Sequence, residues 1–564
     1  MLSIQKIGVV GRTYRHFNRY RQILGVLFKY GFGDLLNRLK IDQYIEAGLQ
    51  IISRNRRDHV EKTTRAERVR VVFEELGPTF IKLGQIISTR PGLIPSEFID
   101  ELSKLQDKVP PFPYAHVKEI IINELGGDPL EIFHSFDETP LASASIGQVH
   151  RARLPGNENV VVKIQRPAIR KQIEIDLEIM LYLATLMENN IEEMAMYRPV
   201  RIVEEFANTL AKEIDYTVEA TNMERFGRLF QRDPTVYIPK VYRETTTTSV
   251  LTMEYIEGIK ASEIDKLRQA NLNPRLITSR GVNLTLKQVF IYGFFHADPH
   301  PGNFFILPGN VIGLIDFGMV GVVDRPTREI FVDLLDSVVH RNAPIAAQAL
   351  LKLTSYEEEP DIHYLERELS DFMGRHLYKP LKDIEFGKLM QHLLELLFHH
   401  KLVLPPDIYL MIKALGTVEG VAKKLAPGFD MVAQIAPFLA KVKIARTYPQ
   451  RIASDLLGFA GDMNTFVQQF PKDLLDISRL LRRGKFNVQM EHRGLDKYIA
   501  AQHQINNRLS FSIIIAALLV GSALIVISDT PPLLYGISLI GIIGFLAAAV
   551  MGIWLLVAIF RKGL

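Results

Sequence analysis

Cysteine is absent from this chain of 564 residues, and tryptophan occurs once. Without a thiol there is no disulfide, no cysteine nucleophile and no zinc–thiolate centre. A large charge of one sign is also lacking. The formal net charge of +4 says little about partners and gives no reason to expect nucleic acid. Residues 1–25 lack an apolar run long enough for a signal-peptide core, and they contain Arg12, Arg15, Arg19 and Arg21. Internal repeats at solenoid periods are missing too. The rest is ordinary for a globular protein with some membrane content, with 47% hydrophobic and 23% charged residues. The length exceeds what one core fills, so two or more units are expected.

The chemistry concentrates between His296 and Gly318. This stretch reads His-Ala-Asp-Pro-His-Pro-Gly-Asn, then Phe304-Phe305-Ile306-Leu307, a Pro-Gly-Asn turn, and Leu-Ile-Asp316-Phe-Gly. Asp298 and Asn303 lie five residues apart in a Pro/Gly-rich loop, and Asp316 follows thirteen later. Two short apolar strands joined by a turn would bring the Asn303 amide and the Asp316 carboxylate together. Such a hard-oxygen pair suits Mg²⁺, which takes its other ligands from phosphate and water. A carboxylate ahead of the Asn, here Asp298, accepts a proton from a hydroxyl or orients water during phosphoryl transfer. Asp-Phe-Gly alone is a weak signal; with Asp298 and Asn303 at protein-kinase spacing it is strong. His296 is expected to pack and hydrogen-bond behind this loop, and His300 to be a loop residue. Gly147 and Gly302 also read as simple turn glycines.

Upstream, residues 65–90 are helical in pattern and contain Lys82-Leu83-Gly84-Gln85, with Pro91 to Pro95 as the stop. Lys82 and Gln85 share a helix face, and alone Lys82 reads as a surface lysine. Pro140-Leu141-Ala142-Ser143-Ala144-Ser145-Ile146-Gly147 precedes the apolar strand around Lys163. Small residues between two strands let the backbone approach a phosphate closely. A lysine inside an apolar strand is costly unless paired. Lys163 therefore needs a carboxylate, and Glu213, Asp215 and Glu219 are the candidates, on one helix running from about Glu204 to Ala220. Thr248 to Gly258, with Glu254, Tyr255 and Ile256, reads as a strand running into a linker.

Residues 1–60 alternate cations with apolar clusters such as Ile23 to Phe28. This fits an arm lying on an anionic membrane surface, or equally an ordinary solvated helix face. Residues 325–480 are mostly helical, and the adjacent His399 and His400 read as helix-end residues, since sequence neighbours do not share a helix face. Leu509 to Ser528 and Leu533 to Phe560 carry no charge. Each is long enough to span a bilayer core of roughly 30 Å. Arg508 before them and Arg561 and Lys562 after them place both ends of a hairpin in the cytoplasm. Gly536, Gly541, Gly544 and Gly552 offer close helix approach, including to a second copy of the chain.

Taken together and in this order, the chain resembles the UbiB family of atypical kinase-like proteins over about residues 65 to 430, and its hairpin matches bacterial members. The stretches carrying the resemblance are Lys82 to Gln85, Ala142 to His150, Val162 to Pro167, Glu213 to Tyr216, His296 to Asn303 and Asp316 to Gly318. The resemblance implies an α+β, two-lobed protein-kinase-like fold binding ATP or ADP with Mg²⁺ or Mn²⁺. Lys163 would contact the nucleotide with Glu219 as its partner, under the loop Ala142 to Ile146, with Glu254 to Ile256 at the adenine. Asp298 would be catalytic, and Asn303 and Asp316 would be metal ligands. The Lys82–Gln85 helix would fold over the site with Lys82 facing Glu213 and Asp215, disfavouring protein substrates. Family members support biosynthesis of ubiquinone or other isoprenoid quinones, which implies membrane lipids, prenyl intermediates or quinone-biosynthesis enzymes as partners.

The expected organisation is an arm (1–64), a helical extension (65–115), an N-lobe (116–258), a C-lobe (259–430), a second helical extension (431–507) and the hairpin (508–561). Two departures stand out. The loop reads Ala-Ser-Ala-Ser where many members have alanines, so the Ser143 hydroxyl is expected to alter phosphate contacts. Ala297 replaces the arginine of His-Arg-Asp, which removes a partner for an activation-loop phosphate. Other readings are a small-molecule phosphotransferase and a non-catalytic nucleotide-sensing scaffold.

Overall fold

The computed structural model describes residues 17–39, 63–88, 96–105, 110–191, 198–356, 360–376, 386–446, 495–528, 531–534 and 537–561, with isolated positions between. Most cations of the arm, the stop at Pro91 to Pro95, Gly536 and the Asp529-Thr530 turn lie outside these residues. Contacts divide the chain into two units, Met1–Ala453 and Ser454–Leu564.

The first unit begins with α1 (Phe17–Lys29), whose Tyr20, Ile23, Leu24 and Val26 are buried. Their spacing gives one apolar face. That face packs into a core shared with α2 (Arg65–Leu76), α3 (Pro78–Ser88), α4 (Ile169–Asn190) and α5 (Pro199–Glu213). The membrane-surface reading is thereby corrected for α1: its apolar side is already spent on protein. Thr64 and Glu67 form a capping box that starts α2. Gly84 of α3 sits where a Cβ would come 2.3 Å from Leu105 Cδ1 and 2.7 Å from Phe73 Cδ2. The glycine is therefore needed for close packing.

The small lobe is a five-stranded antiparallel sheet in the order β1-β3-β4-β6, with β2 on β3. The strands are β1 (Ser135–Phe136), β2 (Ala142–Ser143), β3 (Gly147–Arg153), β4 (Asn159–Gln165) and β6 (Val250–Glu254). Register sets Lys163 between Val149 and Leu251. The helix expected through Glu204 to Ala220 is in fact two: α5 stops at Glu213, and α6 (Tyr216–Phe230) starts afresh. The break comes from Asp215, whose carboxylate caps α6 by accepting the Thr217 N–H at 3.0 Å.

The larger lobe holds a sheet in the order β5-β10-β9-β7, built from β5 (Val236–Tyr237), β7 (Ile259–Lys260), β9 (Phe304–Leu307) and β10 (Val311–Leu314). A separate ladder pairs β8 (Phe294–His296) with β11 (Val320–Val322). Helix α7 (Pro274–Leu286) and a π-helical turn to Tyr292 lead into β8. Gly293 makes that turn with φ +64, and a Cβ there would meet the Val323 carbonyl at 2.3 Å. Further on, α8 (Phe386–His399) and α9 (Pro406–Leu425) pack together. The buried Glu419 of α9 accepts the Phe386 and Gly387 N–H groups at 3.0 and 2.7 Å, satisfying the start of α8. As expected, His399 ends α8, and His400 follows it to pair with Glu368 at 2.8 Å.

The second unit contains α10 (Leu495–Ile527) and α11 (Leu539–Arg561). Ile505–Ile527 and Leu539–Leu556 are long and apolar enough to cross a membrane, with mean hydropathies of 2.7 and 2.5. The second helix starts later than the uncharged run does. Its first residues instead form a two-residue ladder, Leu533–Leu534 against Ile537–Ser538. Gly541 and Gly544 face Val526 and Ser522 of α10, so close approach at these two is used within the hairpin. Gly552 has open space around its Cβ position.

Candidate active site

Lys163 and Glu219 build the centre of the site. The Lys163 ammonium donates to Glu219 Oε2 at 2.8 Å and to Oε1 at 3.0 Å. Both side chains are largely buried, so the pair answers the cost of a charge in an apolar strand. Burial opposes the ammonium, but Glu219, reinforced by Asp316, outweighs it and holds the Lys163 amine well above the ordinary lysine value. The Asp316 carboxylate lies 3.7 Å from the same nitrogen. Lys163 in turn holds the Asp316 carboxyl below its usual value.

The three acids considered for Lys163 have separated roles. Glu219 takes Lys163. Glu213 Oε1 takes Lys82 at 2.6 Å. Asp215 caps α6 and also accepts the Thr217 hydroxyl at 2.6 Å. Lys82 stands in the same electrostatic neighbourhood: it adds to the effect of Lys163 on Asp316, and to the burial that lowers the proton affinity of Lys413. Thus α3 lies over the site through Lys82. Gln85 donates its amide to the Leu105 carbonyl at 3.2 Å. That contact ties α3 to the segment behind it.

The loop from Ala297 to Asn303 is set from behind by His296, which is 2% exposed. Its Nδ1 accepts the Asp298 N–H at 3.2 Å, and its Nε2 faces the Ile315 carbonyl at 3.3 Å. A proton on Nε2 rather than on Nδ1 satisfies both contacts. The His300 ring accepts the Gly302 N–H, a local bond. Asn303 donates its amide N–H to the Asp298 carbonyl at 3.2 Å, and its own carbonyl accepts the Ile315 N–H at 3.0 Å. This places Asn303 beside the residue before Asp316. Asp316 adopts φ +60, an unusual conformation for a non-glycine residue. Phe317 is fully buried against Phe226 at 5.0 Å and His296 at 5.7 Å. Asn222 of α6 donates to the Phe317 carbonyl at 3.0 Å. The Asp-Phe-Gly turn is thus locked to the helix that carries Glu219.

The donor set fits a hard divalent cation. The Asn303 amide nitrogen is engaged, so its oxygen is the atom available as a ligand, and the Asp316 carboxylate is exposed. Among the described residues no group of three or more His, Cys, Asp or Glu could hold a metal ion. Such a cation would need further oxygens from phosphate and water.

The Ser143 hydroxyl accepts from Arg166 Nη2 at 3.2 Å, and the same nitrogen reaches the Ala144 carbonyl at 3.2 Å. Ser143 therefore braces the loop. Ala144 N–H closes a turn onto the Gly147 carbonyl at 2.8 Å. Among the described residues, Ser145 Oγ and Tyr216 Oη are buried with no hydrogen-bond partner. A Cβ at Gly147 would meet both the Ile164 carbonyl and Tyr216 Oη at 2.5 Å, so this glycine is required by close approach rather than by its turn. In the linker, Glu254 and Tyr255 N–H groups bond Lys240 and Asn159 carbonyls at 2.8 and 3.0 Å. The Glu254 carboxylate accepts from Tyr237 and the Lys240 N–H. These bonds fix the linker backbone at Glu254 and Tyr255 against Lys240 and Asn159.

Sequence reasoning missed Lys413. It projects from α9, more than one hundred residues after Asp298, and its Nζ lies 3.8 Å from Asp298 Oδ1. No local motif marks it.

The ABC1 atypical kinase-like domain matches residues 104–350, the UbiB helical domain residues 369–430, and the ABC1/UbiB kinase-like C-terminal domain residues 493–561. "Probable protein kinase UbiB" of Marinobacter nauticus is 33% identical over 82% of this chain and 85% of its own length. An uncharacterized protein encoded in the hydrogenase 1 5' region of Clostridium pasteurianum is 31% identical over 97% of this chain and 99% of its own. A solved structure of Rv3197 with erythromycin, from Mycobacterium tuberculosis, is similar at 25% identity and a TM-score of 0.46. It covers 63% of this chain and 92% of that one.

Proposed function

Because the chain belongs to the UbiB family of kinase-like proteins, we propose that it is a membrane-anchored ATPase or atypical kinase serving ubiquinone or another isoprenoid quinone pathway. The observation that carries this is the buried Lys163–Glu219 pair at 2.8 Å, with Asp316 at 3.7 Å from the same amine. A lysine so fixed offers its remaining donor capacity to a nucleotide phosphate. In this reading the segment Ala142 to Ile146 covers that phosphate, and the linker Glu254 to Ile256 meets the adenine. Asn303 and Asp316 would hold Mg²⁺ or Mn²⁺, which supplies charge neutralisation across the phosphates when bound. Asp298, half-exposed at the end of its loop, receives a proton from an attacking hydroxyl or water.

Lys82 makes protein substrates unsuitable. Its ion pair with Glu213 keeps α3 over the face where a peptide would lie. A small hydroxyl compound, a lipid headgroup or water needs less room. The two long apolar helices of the second unit support a membrane address, and their flanking cations support both ends being cytoplasmic.

The test is nucleotide hydrolysis by the full-length protein, with and without phospholipid vesicles, beside an Asp298→Asn variant. The variant is expected to lose turnover by about two or more orders of magnitude while retaining nucleotide affinity. Full turnover by Asp298→Asn would refute the role given to Asp298. No turnover by the parent under any lipid condition would point to a nucleotide-sensing scaffold. Accumulated prenyl-quinone precursors in a host lacking the gene, read by mass spectrometry, would establish the pathway.

A further inference from the structure

The loop from His296 to Asn303 contains no lysine or arginine. The two lysines expected at the site are both engaged by carboxylates, Lys163 by Glu219 and Lys82 by Glu213. A triphosphate extending from the metal ligands toward Asp298 would end beside a carboxylate, in a loop with no cation of its own. Like charges so placed repel, and phosphoryl groups are held by fixed positive groups.

The missing cation comes from a distant element. Lys413 Nζ lies 3.8 Å from Asp298 Oδ1. This is an ion-pair distance, but too long for a direct hydrogen bond, so the ammonium keeps its donors for a third group beside Asp298. Among the described residues Asp298 is its only ion-pair contact. The side chain is 28% exposed, so a ligand can reach it. Its support is rigid: Met411, Ala414 and Leu415 are fully buried around it, and Glu419 clamps α9 to the start of α8. Burial, with Lys82 nearby, works against the Lys413 charge, and Asp298 only partly offsets this. An anion between the two lysines would relieve that strain.

We propose that Lys413 is a phosphate-binding residue of the active site, its ammonium holding the terminal phosphoryl group of a nucleoside triphosphate against Asp298. The inference rests on the nucleotide reading above. It makes the helical region 369–430 part of the active site, because α9 supplies the cation that the catalytic loop lacks.

The experiment uses the full-length protein in detergent micelles. Affinities for ADP and for a non-hydrolysable ATP analogue, each with Mg²⁺, are measured by calorimetry for the parent, Lys413→Met, Lys413→Gln and Lys413→Arg. The neutral variants are expected to bind the triphosphate analogue at least about tenfold more weakly, the scale of one charge-assisted hydrogen bond. ADP affinity should stay within about twofold of the parent, and Lys413→Arg should retain most of the triphosphate affinity. Unchanged triphosphate binding in both neutral variants, or an equal loss for both nucleotides, would overturn the proposal. A parent that binds neither nucleotide would overturn the nucleotide reading and this inference with it. A parent that binds both without turning ATP over would refute only the catalytic part of that reading, and the binding comparison would still decide the role of Lys413.

Discussion

Glu213, Asp215 and Glu219 fall within one short acidic stretch, yet each has a different job. A carboxylate at the end of α5 meets Lys82, one in the break caps α6, and one in the first turn of α6 meets Lys163. Residue type alone left all three open as partners for Lys163. Burial decides which matters most for stability. Glu219 is 3% exposed, and removing one member of a buried pair strands the other charge. Glu219→Gln is expected to destabilise the small lobe by about 3 kcal/mol and to weaken nucleotide binding. The readouts are the thermal midpoint and ADP affinity, and an unchanged midpoint would contradict the assigned burial cost.

At the scale of elements, α1 and α3 act together. Arg19 of α1 makes a bidentate pair with Asp176 of α4, at 2.7 and 3.0 Å, and also reaches the Leu76 carbonyl at 2.7 Å. Thr79 at the start of α3 donates to the same carboxylate at 2.7 Å. Asp176 has no exposure at all. The helix carrying Lys82 is therefore pinned at its first turn by a charge network that α1 completes. Arg19→Ala leaves a buried carboxylate with one hydroxyl, at a cost of about 3–5 kcal/mol. Amide hydrogen exchange across residues 65–88 is expected to accelerate strongly, while exchange in α9 stays near the parent rate. Equal exchange at 65–88 in the parent and in Arg19→Ala would remove α1 from any role in holding α3.

For the whole molecule, the lack of cysteine becomes a practical advantage. Single cysteines can be placed without background and probed with a membrane-impermeant maleimide in intact spheroplasts. Ser528 and Gln502 are both exposed and flank opposite ends of the first apolar span. If both hairpin ends lie in the cytoplasm, as proposed, Ser528→Cys labels from outside and Gln502→Cys only after lysis. The reverse pattern would invert the topology, and labelling of both would mean that the hairpin does not cross the membrane. Pairing of two copies through the hairpin would have to use faces other than that of Gly541 and Gly544, which meet Ser522 and Val526 within it.

Local signals were enough to single out the residues set at short spacings. Asp298, Asn303 and Asp316 are close in the chain, so a turn between two strands suffices to gather them, and the uncharged C-terminal runs are long enough to declare themselves. The apolar face of α1 was legible too, but not what covers it, because membrane and protein both reward the same amphipathic pattern. The partner of Lys163, the brace on Ser143 and the arrival of Lys413 at Asp298 join residues far apart in sequence. Those pairings are set by where a helix breaks and how helices pack, and neither leaves a periodic trace in the chain. Composition and spacing thus name the reactive groups the protein owns, whereas the packing of distant helices sets which charges face one another.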